Sequence, residues 1–154
     1  MRRLLDTLRF VFVSPELAAA LLPFVIQQYE PDWGSVILKS MREGLSFGLA
    51  ATALPLGALA FCYKEGSDIL DPTGARAVLL EWPDYLMLKS RVIAALAWCV
   101  GGVAAALVAT WMVANNVSPR SGVSLLATGV LISAVAAGTV ALARYRIREL
   151  LPSK

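Results

Sequence analysis

Long apolar runs separated by short polar links dominate the chain. Ser46 to Tyr63 (SFGLAATALPLGALAFCY), Val92 to Ala114 and Gly122 to Ala143 contain no Asp, Glu, Lys, Arg or His. A helix of roughly 20 such residues crosses the ~30 Å of hydrocarbon in a bilayer. The pattern therefore predicts three transmembrane helices.

A fourth apolar segment lies nearer the N-terminus. RFVFVSPELAAALLPFVIQQYE is apolar from Phe10 to Ile26, but Ser14-Pro15-Glu16 reads as an N-cap, a proline at the first helical position and an acid near the positive helix end. A helix starting there has few apolar residues before Gln27. Asp6 and Arg9 interrupt the continuous apolar core that a signal peptide needs. The expected architecture is an all-α integral membrane protein, a four-helix transmembrane bundle forming a single domain over residues 1–154, with a kinked or re-entrant first helix as the alternative.

Basic residues favour the cytoplasmic side of a membrane. Four spans with both ends inside place Arg2, Arg3, Arg9, Lys64, Arg76, Lys89, Arg91, Arg144, Arg146, Arg148 and Lys154 inside, against Lys39, Arg42 and Arg120 outside, a division of eleven to three. Without the first span and with a cytoplasmic C-terminus, the division is eight to six. The inner membrane of a bacterium, with both termini cytoplasmic, is the expected location.

Composition agrees: 58% of the 154 residues are hydrophobic and 16% charged, well away from a soluble globule. The formal charge of +3 points to orientation and anionic lipid rather than nucleic acid. Arg144, Arg146 and Arg148 form a juxtamembrane cluster expected to rest on lipid headgroups. Tyr29, Trp33, Tyr63, Trp82, Tyr85, Trp111 and Tyr145 fall near the predicted boundaries, as an aromatic belt does.

The main polar link, residues 64–91, is expected on the cytoplasmic side. Asp71-Pro72-Thr73-Gly74 suits a tight turn, ARAVLLEW suits about two helical turns, and Pro83 stops them. Asp84 is placed to cap a helix running from about 85 to 114, roughly 45 Å long. Trp82, Asp84, Tyr85, Lys89 and Arg91 are the candidate interface residues there, for headgroups or for a soluble partner. PDWGSVILKSMREGL (31–45) and PDYLMLKSRVIAAL (83–96) share Pro-Asp-aromatic followed by Leu-Lys-Ser. In a four-span topology they enter from opposite sides, as inverted repeats do, although both consist of common capping and interface residues.

Candidate chemistry is sparse. With no histidine there is no His general base, His haem ligand or Ser-His-Asp arrangement. Cys62 and Cys99 are distant in sequence, show no metal-ligand spacing and read as small buried apolar residues. Glu16 is the one acid expected at membrane depth, and only if the first helix spans. No enzyme activity, cofactor or metal is expected.

Small residues recur at four-residue spacing. Ala97, Gly101, Ala105 and Ala109 form one row; Gly129, Ser133, Ala137 and Ala141 form another. Such rows let helices approach closely in lipid and are the candidate packing or oligomer interface. Thr52, Thr110, Thr128, Ser133 and Thr139 could line a polar path between several chains, or bond singly to the helix backbone. The expected function is a non-enzymatic membrane protein that oligomerises and senses or alters membrane integrity, as a pore or as the membrane effector of an antiphage defence system with a soluble partner. The alternatives are a scaffold subunit of a larger membrane complex and a small transporter using Glu16.

Overall fold

The computed structural model describes residues 14–70 and 82–150. Five helices occupy them: α1 (Pro15–Tyr29), α2 (Ser35–Glu43), α3 (Leu45–Leu70), α4 (Tyr85–Ala114) and α5 (Pro119–Leu150). No strand occurs among the described residues. Ser46–Ser67, Tyr85–Ala114 and Pro119–Ile147 are long and apolar enough to cross a membrane. The turn at 71–74, the helical turns over 75–81, the apolar residues 10–13, the tail 151–154 and the side chain of Arg148 lie outside the described residues.

Helix α1 starts where Ser14-Pro15-Glu16 predicts. Ser14 Oγ accepts a hydrogen bond from the Leu17 N–H at 3.3 Å, with Pro15 at the first helical position and Glu16 in the first turn. At 15 residues α1 is roughly 22 Å long, short of the hydrocarbon thickness. Helix α4 has the predicted bounds, 85–114. Helices α3 and α5 run past their charge-free segments, through Lys64 and Glu65 in one and through Arg144 and Arg146 in the other.

Helix α5 is central and touches all four others. The connection from Asn115 to Ser118 turns the chain back on itself, so α4 and α5 lie antiparallel; Asn116 and Ser118 take left-handed φ values of 54° and 47° there. The two helices pack backbone against backbone at Gly102 and Gly129. A Cβ on Gly129 would lie 2.5 Å from the Gly102 carbonyl oxygen, and a Cβ on Gly102 would lie 2.7 Å from the Gly129 carbonyl oxygen. Only residues without a side chain permit this, and close backbone packing is what holds helices together in lipid, where hydrophobic burial no longer drives association.

Side chains fill the bundle in three layers. Met41, Ala106, Ala109, Val113, Val123 and Leu126 form one end. Cys62, Ala95, Cys99, Ala136 and Val140 form the middle. Ile69, Tyr85, Val92 and Ile147 form the other end. Helix α2 is a short amphipathic helix lying across the first of these layers: Ile37, Leu38 and Met41 face it, while Lys39, Arg42 and Glu43 face out. The Pro-Asp-aromatic units therefore both lead into helices, but at 31–45 the helix breaks at Gly44 before α3, whereas at 83–96 it runs on without interruption.

Candidate functional site

Two features of the bundle stand apart from plain packing: a buried polar seam along α5 and an outward small-residue seam along α3.

The polar seam docks α1. Ser124 Oγ donates to Gln27 Oε1 at 2.5 Å, and Thr128 Oγ1 donates to the Ala20 carbonyl at 3.0 Å. Thr139 Oγ1 lies 3.0 Å from Glu16 Oε1 and 3.0 Å from the Val135 carbonyl, so its single proton serves one of two acceptors at a time. Glu16 is only 4% exposed. Pro15 and the Ser14 cap set the helix start, and the start aims the carboxylate at α5.

One turn further along, Glu65 of α3 pairs with Arg144 of α5. Glu65 is 8% exposed. Sequence reading missed this acid because it falls two residues beyond the charge-free run; only the continuation of α3 to Leu70 carries it into the bundle. Cys62 and Cys99 are both fully buried, and their sulfurs lie 3.5 Å apart, with Cys99 donating. Their predicted burial holds, and these residues, distant in sequence, are neighbours because antiparallel α3 and α4 cross there. Trp98 Nε1, beside Cys99 in sequence, is buried and has no hydrogen-bond partner among the described residues.

The polar link beyond α3 differs from its predicted use. Asp84 occupies the N-cap position of α4 but makes no side-chain capping bond. Its backbone sits at φ −91°, ψ 3° rather than in the extended region from which a capping side chain reaches back, and the Tyr85 N–H bonds the Trp82 carbonyl instead. Tyr85 turns inward: it is 6% exposed, and its hydroxyl lies 3.1 Å from the Ile69 carbonyl and 3.3 Å from the Leu70 carbonyl. Lys89 Nζ donates to Leu70 O at 3.2 Å. Both side chains thus satisfy carbonyls that the end of α3 leaves open. Trp82 is half-buried against the same layer, leaving Asp84 and Arg91 exposed. Arg144 is taken up by Glu65, while Arg146 is exposed.

The predicted small-residue rows wind around their helices. Ala97 and Gly101 face outward, Ala105 is half-buried and Ala109 is buried; Gly129 and Ser133 are buried, Ala137 is half-buried and Ala141 faces outward. Four residues advance a helix by one turn plus about 40°, so three such steps leave the starting face. The hydroxyls keep mostly to their own helices: Thr52, Thr110 and Ser133 bond backbone carbonyls three or four residues back.

Helix α3 carries a signal that stays on one face. Gly48, Thr52, Pro55, Leu59, Cys62, Gly66 and Ile69, spaced alternately by four and three residues, all point into the bundle. On the opposite side, Ser46, Ala50, Ala53, Gly57, Ala60, Lys64 and Ser67 repeat the same spacing and are all exposed. Two rows of large exposed residues flank this second seam, Phe47, Leu54 and Phe61 on one side and Leu49, Leu56 and Tyr63 on the other. A Cβ on Gly57 would meet nothing within 4 Å. The result is a shallow groove with a floor of small residues between two rows of large ones, repeating at a 3.5-residue period. No protein family, curated protein or solved structure matches this chain, so its function is read from its own residues.

Proposed function

We propose that this is a non-enzymatic multi-pass protein of a cytoplasmic membrane that associates with copies of itself through the outward seam of α3 and, once assembled, senses or alters membrane integrity. The observation that carries this reading is the groove along Ala50, Ala53, Gly57 and Ala60. A helix face that meets only acyl chains has no need of a period-3.5 row of small residues between two ridges of large ones. Helix α1, half-buried in its own bundle and docked on α5, acts as a fourth segment that enters the membrane without a full-length span of its own among the described residues. Counting α1 as a crossing segment, the eleven-to-three distribution of basic residues supports a cytoplasmic location for the Lys64 and Arg144 end.

The test is particle mass in mild detergent for the wild type and for Ala53→Leu and Gly57→Leu, which fill the groove while touching nothing inside the bundle. Self-association predicts a closed oligomer in the wild type and smaller particles in both variants, with dye uptake or membrane depolarisation in cells falling in parallel. A wild-type particle of one chain sinks the reading. An oligomer that leaves permeability unchanged removes its effector part.

Glu16 favours a second reading, ion-coupled transport, because a carboxylate 4% exposed beside a hydroxyl is a proton-binding arrangement. Uptake driven by a pH gradient that Glu16→Gln abolishes would support it, and unchanged uptake in that variant would eliminate it.

A further inference from the structure

A cavity of about 360 Å³ opens at the end of the bundle away from Glu65 and Arg144, between the turn after α1, helix α2 and the start of α5. It lies within the volume range of small-molecule sites. Lys39 and Arg42 of α2 and Arg120 of α5 bring three cations to it, Asp32 and Glu43 bring two acids, and Trp33, Leu38 and Val123 supply apolar wall. The lining has a net charge of one positive unit.

The cations are weakly engaged. Arg120 and Asp32 are 3.5 Å apart, and Lys39 and Glu43 are 3.9 Å apart, each pair largely exposed; such pairs hold their partners loosely. Arg42 reaches Asn116 Oδ1 at 3.4 Å. All three can turn to an incoming anion with little loss. The wall itself is fixed. Gly34 packs so closely on α5 that a Cβ there would lie 2.5 Å from Val123 Cγ1, which anchors the start of α2 against the start of α5. The N-cap residue of α2, Gly34, makes no side-chain capping bond, so the positive helix end adds to the field at the cavity.

The depth of the cavity identifies the ligand class. It is level with Pro119 and Asn116, where the apolar helices α4 and α5 end, and below it the outside of the bundle is lined by large apolar residues of α1, including Leu21, Leu22 and Val25. We propose that the cavity binds the phosphodiester headgroup of one membrane phospholipid, with Arg42, Arg120 and Lys39 around the phosphate and the acyl chains running down the outside of α1. A phosphodiester carries a single negative charge, which matches the net charge of the lining; a free phosphate dianion would meet Asp32 and Glu43 with one charge too many. The inference rests on membrane embedding, which resistance to alkaline carbonate extraction tests separately.

Mass spectrometry of the intact protein released from detergent, with phosphatidylglycerol added, tests the site. The expected result is one retained lipid per chain in the wild type and in Lys64→Gln, a control at the opposite end, with the bound-to-free ratio falling on the order of ten-fold or more in Arg42→Gln/Arg120→Gln. Lys39→Gln alone is expected to give an intermediate loss, and serves if the double variant does not fold. Equal retention in every variant overturns the proposal. Displacement of the lipid by millimolar inorganic phosphate would also overturn it, because the site would then belong to a soluble anion.

Discussion

Gly102 and Gly129 hold α4 and α5 in backbone contact: a Cβ on Gly129 would lie 2.5 Å from the Gly102 carbonyl oxygen. The Ser133 hydroxyl also stands against Gly102, but the facing carbonyl oxygens belong to the backbone and cannot swing aside, so the helices themselves must separate to admit a methyl group. Gly102→Ala and Gly129→Ala should each destabilise the monomer by about 1–3 kcal/mol, the range of overpacking in a packed core. Gly101→Ala and Gly138→Ala, whose added Cβ atoms would meet nothing within 4 Å, should leave monomer stability within about 0.5 kcal/mol. Unfolding in mixed detergent micelles, followed by circular dichroism, separates the two classes.

Glu65 and Arg144 tie the end of α3 to α5 in a partly buried ion pair. Removing one partner leaves the other charged and poorly solvated, whereas removing both removes the problem. Glu65→Gln and Arg144→Gln should each lower stability by roughly 1–3 kcal/mol, below the fully buried range because Arg144 keeps some contact with solvent. The double variant should recover part of that loss. A cycle showing simple additivity of the two single variants would mean that the pair contributes nothing as a pair.

The apolar helices were legible because charge is so unfavourable in hydrocarbon that three runs were left without any, and the start of α1 was legible because Ser14, Pro15 and Glu16 act locally. The buried ion pair was not legible: Glu65 and Arg144 are widely separated in sequence, and each looked like a residue flanking a span. Cys62 and Cys99 came together through the antiparallel crossing of α3 and α4, which no spacing announces. The groove on α3 was present in the sequence as a 3.5-residue repeat, but residues at strict four-residue spacing on α4 and α5 are the more conspicuous row, and their drift carries them from the outside to the inside.

Tyr85 turns its hydroxyl to the carbonyls of Ile69 and Leu70. Tyr85→Phe keeps the ring in its layer and removes the donor, while Lys89 stays on Leu70 O. The expected loss is about 1–2 kcal/mol. Arg91→Gln, on the exposed side of the same helix, should cost less than about 0.5 kcal/mol. Hydrogen exchange should show the Tyr85→Phe effect concentrated at the end of α3 and the start of α4.

Cys62 and Cys99 occupy the middle layer with no exposure at all, sulfurs 3.5 Å apart. A thiol reacts as the thiolate and only where a reagent can reach it, so burial in an apolar layer makes both inert. In the folded protein neither should couple to a maleimide over hours, and both should react together once the bundle opens, since the same Ala95, Ala136 and Val140 contacts cover them. The labelling rate should therefore follow global unfolding, and Gly102→Ala should accelerate it at both cysteines alike. Rapid labelling of one cysteine in the native state would mean that α3 separates from α4 without unfolding the rest. Once the bundle is opened, a mild oxidant should close the pair to a disulfide, lowering the intact mass by about 2 Da as two hydrogens are lost. Cys62→Ala should block that mass change.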